Sequence, residues 1–212
     1  FGLLQSELEL GEEQKQLVGI IARETERLNQ TINDFLLYAR PSSPLPKPLR
    51  LDTVIFDVLQ LVENSPDRRP DHTITTALDP LTIKADESMM RQVVHNLASN
   101  AFKAMPESGI LEIPHREAGG RARLEFRDSG IGMTPGDIDR LFLPFHSSFR
   151  TGTGLGLSIV YQIVTTHRGQ IWATSTPGHG TVFNVDLPVS LEVDEAQALN
   201  DRPKRVPARQ VL

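Results

Sequence analysis

Residues 91–105 read RQVVHNLASNAFKAM, and the rest of the chain can be placed relative to them. At roughly 100° per residue, a helix here puts Met90, Val94, Leu97, Ala101 and Ala104 on one apolar stripe. Gln92, Asn96, Asn100 and Lys103 fall on a second stripe beside it. The first stripe suits packing on a sheet. The second sets amides and an ammonium in a row. A carboxamide oxygen suits a hard cation such as Mg²⁺, and an ammonium suits phosphate. On this stretch alone, an ordinary amphipathic helix whose exposed face carries amides is the competing reading.

Upstream, Asp86 is placed to cap this helix. Residues 71–78 and 81–85 read as short strands around an Asp79–Pro80 turn. Leu51–Asn64 is amphipathic, with Val54, Ile55, Val58, Leu61 and Val62 on one face and Asp52 as its expected N-cap. Pro41, Pro44, Pro46 and Pro48 make 41–50 a semi-extended linker and a domain boundary. Over 1–40, Leu17, Ile21, Leu28, Ile32, Phe35 and Ala39 recur at mostly three- and four-residue spacings. That is the seam of a long helix in a coiled coil or bundle, and it needs a partner helix. Leu3, Leu4 and Leu8 fit the end of an earlier helix, joined through Gly11.

Downstream, 110–116 and 122–127 alternate apolar and polar around Gly119–Gly120, which predicts a hairpin. Thr134–Leu141 reads as a short helix with Pro135 in its first turn. Residues 142–156 read as a long loop and 157–166 as a helix, followed by a hairpin of 170–175 and 181–187 across 177–180. This order predicts an α+β sandwich with helices on one face of a mixed sheet, spanning 51–189, with 190–212 a mobile tail.

The net charge of −5 argues against nucleic acid as the main partner. The absence of cysteine excludes disulfides and thiolate metal sites. No run is apolar enough to span a membrane and no signal peptide is seen, so a cytoplasmic setting is expected. The first residue is Phe1 rather than methionine, which suggests a fragment whose parent could carry a membrane anchor elsewhere. The histidines form no metal constellation. His95, His115, His146, His167 and His179 are expected at the surface or in local hydrogen bonds.

Two further stretches could carry chemistry. Asp128-Ser-Gly130-Ile-Gly132-Met133 follows a predicted strand. A carboxylate there can accept from an exocyclic amine, and the glycines let a flat ring approach the backbone. A plain turn is the alternative. Gly152-Thr153-Gly154-Leu155-Gly156-Leu157 opens a helix, where exposed amides and the helix dipole favour an anion. It lacks the lysine of a P-loop and departs from GxGxxG. Phe142, Phe145 and Phe149 lie upstream in the same loop, either as part of a hinged cover or simply as core residues.

Together these stretches resemble the ATP-binding domain of two-component sensor histidine kinases, a group shared with type II topoisomerases, Hsp90-like chaperones and mismatch-repair ATPases. RQVVHNLASNAFKAM is similar to the asparagine box and DSGIGM to the first glycine box. LFLPFHSSF is similar to the phenylalanine box and GTGLGLSIV to the second glycine box. GHGTVFNVDLP resembles the closing strands, and ETERLNQTINDFLLYARP the second helix of the dimerisation and phosphotransfer hairpin. The YARP and NAFKAM runs have the flavour of the nitrogen-regulation subgroup.

The resemblance implies a two-layer, Bergerat-type α/β sandwich preceded by part of a helical hairpin over 1–40. It implies Mg²⁺ on Asn100, with Asn96 assisting nucleotide or metal and Lys103 on phosphate. Asp128 would meet the adenine amine, with Gly130 and Gly132 giving access and Thr181 nearby. Gly152, Gly154 and Gly156 would line the triphosphate. Met133, Phe142, Arg150, Thr153, Leu155 and Leu157 complete the implied nucleotide-binding set. ATP and Mg²⁺ are the implied cofactors. A homodimer through the N-terminal helices and a response-regulator receiver domain are the implied partners. Hydrolytic members of the group carry a glutamate where this chain has Asn96, and an amide cannot act as a general base. Transfer to a protein nucleophile therefore fits better than hydrolysis.

Two departures stand out. The phosphoacceptor histidine has no counterpart, and Phe1-Gly-Leu-Leu resembles sequence shortly after it, so truncation is expected rather than loss. Phe149 stands where the family often has lysine, and Arg150 is the candidate to supply the charge. A non-catalytic, nucleotide-gated dimer is the alternative function.

Overall fold

The protein is described by a computed structural model over residues 11–39, 43–65, 68–147, 149 and 152–190. The expectations for the earlier helix at 1–10, for Arg150 and for the tail beyond Ser190 lie outside these residues.

Helix α1, Glu12–Ala39, carries the seam anticipated from its spacing. Leu17, Ile21, Leu28, Ile32 and Phe35 stay between 49% and 61% exposed, so nothing among the described residues covers that seam. The C-terminal turns of α1 meet the rest of the described chain through buried Asp34 and through Tyr38. No described helix is long and apolar enough to cross a membrane.

Strand β1, Lys47–Arg50, runs antiparallel to β3, Thr82–Ala85, in a two-stranded sheet. The last four residues of the expected linker are therefore a strand. An edge strand tolerates Pro48 because its missing donor need not face a ladder. Helix α2, Leu51–Val62, follows at once. Its N-cap is Arg50 and not Asp52. Asp52 lies in the first turn, where its carboxylate accepts from Arg50 Nε at 2.9 Å, Arg50 Nη2 at 2.6 Å and the Leu81 amide at 3.1 Å. The acid thus ties α2 to both strands of the small sheet, at the end where Arg50 faces Thr82.

Strand β2, His72–Ala77, does not pair with β3 across Asp79–Pro80. It runs parallel to β4, Gly109–Ala118. Strands β5, Arg121–Asp128, β6, Gln170–Ser175, and β7, Thr181–Pro188, complete a mixed sheet in the order β2-β4-β5-β7-β6. All of its other pairings are antiparallel. The hairpins turn at Gly119–Gly120 and at 176–180, where alternating strands meet turn residues.

Helices α3, Glu87–Ala104, and α5, Gly156–Thr166, pack with α2 on one face of this sheet. Every member of the apolar stripe on α3 is buried, joined by Val93, Ala98 and Phe102. They meet Leu111, Ile113, Leu124, Phe126 and Val185 from the inner face of the sheet in one core. Burying each such aliphatic or aromatic side chain contributes about 1.5–3 kcal/mol. Asp86 caps α3 by accepting from the Met89 amide at 3.2 Å. The short α4, Pro135–Asp139, starts with a capping box of Thr134 and Asp137.

Candidate functional site

Helix α3 is the floor of the site. Gln92, Asn96, Asn100 and Lys103 are all half-buried along the flank that the core leaves free. Asn96 is fully engaged. Its Oδ1 accepts from Gln92 Nε2 at 3.3 Å, and its Nδ2 donates to the Gly156 carbonyl at 3.1 Å. The side chain of Asn100 takes no hydrogen bond from the described residues, so its amide oxygen is free for a ligand.

The other end of α3 carries the glycine turn. The Ile131 amide donates to the Ala104 carbonyl at 2.9 Å. Gly130 lies so close that a Cβ would meet that carbonyl oxygen at 2.5 Å. Gly132 has φ +66, and its Cβ would stand 2.1 Å from the Thr176 carbonyl oxygen. Glycine at 132 is thus required by conformation and by contact. Between Asn96 at the lid and Ala104 at this turn, eight residues of helix span about 12 Å, the length scale of a nucleotide.

Asp128 ends β5 and is 8% exposed. Its Oδ1 accepts from the Gly130 amide at 2.9 Å and the Thr181 amide at 3.2 Å. Neither bond falls on Oδ2, which is left to accept from a ligand. Burial pushes the carboxyl above its ordinary range, and the two amide bonds only partly offset this. Thr181 is buried, and its hydroxyl lies 2.9 Å from Ser175 Oγ. Ser175 Oγ also accepts from the Met133 amide at 2.8 Å and donates to the Gly180 carbonyl at 2.7 Å. Ser175 therefore fixes the turn that surrounds Asp128. Nothing in its sequence context marked it.

The lid runs from Phe142 to Leu157. Phe142 is half-buried, packs against the core and lies 5.5 Å from the Tyr161 ring. Phe145 is 64% exposed with φ +62, and it meets Tyr38 of α1 edge-on at 6.3 Å. The two phenylalanines thus divide between core and surface. Phe149 is half-buried. Leu155 is buried and Leu157 packs against the core, so they anchor the C-terminal side of the lid. Gly154 has φ +71, and its Cβ would stand 2.6 Å from the Phe145 carbonyl carbon. At Gly152 a Cβ would reach Ser147 Oγ at 2.6 Å. Leu155 is the N-cap of α5 and supplies no side-chain cap, so this helix end is suited to an anion. The Thr153 hydroxyl accepts from the Leu155 amide at 3.2 Å and donates to Asp34 Oδ2 at 3.3 Å. Sequence reading missed Asp34, which carries no motif.

His72, His115 and His167 are buried, and His167 makes the local hydrogen bond that was one of its two expected settings. His167 ties α5 to the cap of α3. Its Nε2 accepts from the Asp86 amide at 3.1 Å while Nδ1 donates to the Ile163 carbonyl at 2.9 Å. His72 stacks on Phe102 with ring centroids 5.1 Å apart. Neither ring nitrogen of buried His115 finds a hydrogen-bond partner among the described residues. Among the described residues no group of three histidines, cysteines or carboxylates could hold a metal. A cation here would need oxygen donors from a ligand as well as from Asn100. That suits Mg²⁺, which keeps waters and shares substrate phosphates.

Residues 85–191 match the family model described as histidine kinase-, DNA gyrase B-, and HSP90-like ATPase. Residues 2–44 match the His Kinase A (phospho-acceptor) domain. The sensor histidine kinase ZraS of Klebsiella oxytoca is 37% identical over 187 residues, which is 87% of this chain and 40% of ZraS. The chain thus spans about two fifths of the length of that relative. Full-length ShkA, solved with AMPPNP, superposes with a TM-score of 0.74 at 27% identity, over 85% of this chain and 40% of that one. Histidine kinase ThkA, solved with the response regulator protein TrrA, gives 0.71 at 27% identity, over 89% of this chain and 55% of that one. The chain belongs to the histidine kinase-, DNA gyrase B-, and HSP90-like ATPase family, on its sensor histidine kinase branch.

Proposed function

We propose that this chain is the ATP-binding core of a two-component protein histidine kinase. It passes the γ-phosphoryl group of ATP to a histidine on the helical hairpin, and from there to a response-regulator aspartate. The observation that carries the reading is the arrangement on α3. Its asparagine row touches the lid helix at one end, through Asn96 and Gly156, and the Asp128 turn at the other, through Ala104.

Asp128 Oδ2 accepts from the adenine amine, beside Gly130, Gly132, Met133 and Thr181. Lys103 and the amides of the Gly152–Leu157 lid meet the phosphates, with Phe142 holding the lid to the core and Arg150 adding charge. Asn100 Oδ1 is the protein ligand for Mg²⁺, which would neutralise phosphate charge during transfer. Asn96 orients this arrangement through its bonds to Gln92 and Gly156, and it activates no water because an amide is not a general base. The half-exposed seam of α1 supports dimerisation through the hairpin. Residues 1–40 are then the hairpin part and 51–189 the nucleotide-binding domain, and the chain acts on the cytoplasmic side.

The test joins two measurements. Calorimetry with Mg-ATP should show binding by the chain and its loss in Asn100→Ala. A longer chain that includes the hairpin histidine, given γ-labelled ATP, should take up acid-labile, alkali-stable label. Unchanged ATP affinity in Asn100→Ala sinks the site. Binding without label sinks the kinase and leaves a nucleotide-gated module.

A further inference from the structure

Asp34 is 7% exposed near the C-terminal end of α1. It accepts from the Thr153 hydroxyl at 3.3 Å, and that same hydroxyl holds the amide of Leu155, the N-cap of α5. One turn later, Tyr38 meets Phe145 edge-on. Leu37 lines a groove with Met89, Gln92, Ile159 and Ile163, between α3 and α5. Residues 34, 37 and 38 share one face of a helix. That face therefore touches the lid at its base, at its exposed phenylalanine and at the helix that follows it.

The charge at this contact matters. The N-terminal end of α5 carries partial positive charge and favours an anion. In this arrangement it is linked to the Asp34 carboxylate through one hydroxyl, that of Thr153, which accepts from the Leu155 amide. A nucleotide phosphate drawn to the same helix end would take the amide from Thr153 and face the Asp34 carboxylate. Two anions at one helix end repel.

We propose that Asp34 is an internal anion of the nucleotide site, which competes with the nucleotide's terminal phosphates for the N-terminal end of α5. The inference rests on reading the lid as the phosphate cradle. Nucleotide binding then releases the lid from α1. By linkage, α1 held against the lid weakens nucleotide binding by the same factor. The weakening grows with the number of phosphates, because it arises from charge. The contact couples the position of the hairpin helix to the occupancy of the site.

The experiment titrates AMP, ADP and ATP, each with Mg²⁺, into the 212-residue chain and into its Asp34→Asn and Asp34→Ala variants. The second variant favours helix and retains the fold should the first lose it. Both should bind ATP about threefold to tenfold more tightly than the parent, ADP less so, and AMP unchanged. The gain should shrink at high salt. ATP affinity that is unchanged or weaker in a folded variant overturns the inference. So does an equal gain for AMP and ATP, which would mark a packing effect. A parent chain that binds ATP with neither variant differing sinks this inference alone. A parent that binds no ATP sinks the nucleotide reading and takes the inference with it.

Discussion

The side-chain amide of Asn96 donates to the backbone carbonyl of Gly156 across 3.1 Å, so the asparagine helix and the lid helix are joined inside the candidate site. The same amide accepts from Gln92 one turn earlier. A residue that could be taken for a ligand is, in this arrangement, a brace between two elements. Its neighbour Asn100, one turn on, takes no side-chain hydrogen bond from the described residues.

Asn96→Ala removes both bonds. Each is worth about 0.5–1.5 kcal/mol net, so urea denaturation should show a loss of about 1–3 kcal/mol. Mg-ATP affinity should fall with it, because α5 would no longer be fixed against α3. A midpoint that does not move would show that α5 is held by its apolar face alone.

Asp128→Asn separates recognition from stability. The variant keeps an oxygen for the Gly130 and Thr181 amides and replaces Oδ2 with a donor, which repels the adenine amine. Burial raises the folded carboxyl's pKa above its unfolded value of about 3.9. The folded state therefore holds the proton more tightly, and parent stability falls as pH rises from the unfolded value through the folded one. Relative to the parent, the variant should be equally stable near pH 4 and more stable above the folded pKa. ATP should no longer raise its Tm. Melting curves across pH, with and without ATP, test both halves. A variant still stabilised by ATP to the parental extent would remove Asp128 from adenine recognition.

Asp52→Asn should act in the opposite pH direction. The Arg50 guanidinium beside Asp52 holds its carboxyl well below the usual range. The stabilisation is present above the unfolded value near pH 4 and is lost as pH falls through the depressed one. The variant should melt lower than the parent at neutral pH, and the gap should close in acid. The effect should be small, because the Arg50 side chain is 53% exposed. A gap that persists undiminished in strong acid would assign the effect to something other than the carboxylate.

Gly132→Ala should destabilise the fold by about 2 kcal/mol or more, through a left-handed backbone and a Cβ driven against the Thr176 carbonyl. Gly119→Ala is the control. It shares a positive φ of +60 but has nothing within 4 Å of the added carbon. Equal losses in the two variants would show that contact at Gly132 adds nothing to conformational strain.

Periodicity gave α3 both of its stripes, and each apolar member is buried as its spacing required. The β4–β5 and β6–β7 hairpins were legible because alternation of side chains met turn residues at both ends. The pairings of β2 and β3 were not. Two short strands around a turn look alike whether they pair with each other or with distant partners, and local pattern carries no record of the choice. β2 lies beside β4 and β3 beside β1, pairings with partners that the Asp79–Pro80 turn does not connect.

The sequence by itself determined which side chains could bind what: a row of amides on one helical flank, a carboxylate before two glycines, and amides exposed at a helix start. Those properties are local, set by residue type and by the 3.6-residue turn. Tertiary structure alone decided which of these groups remain available. Packing engaged both ends of Asn96, left Asn100 free of described partners, set both amide bonds of Asp128 on one oxygen and brought Asp34 from a different helix against the lid. Availability depends on what lies within about 3 Å of an atom, and such neighbours come from parts of the chain that no spacing rule connects.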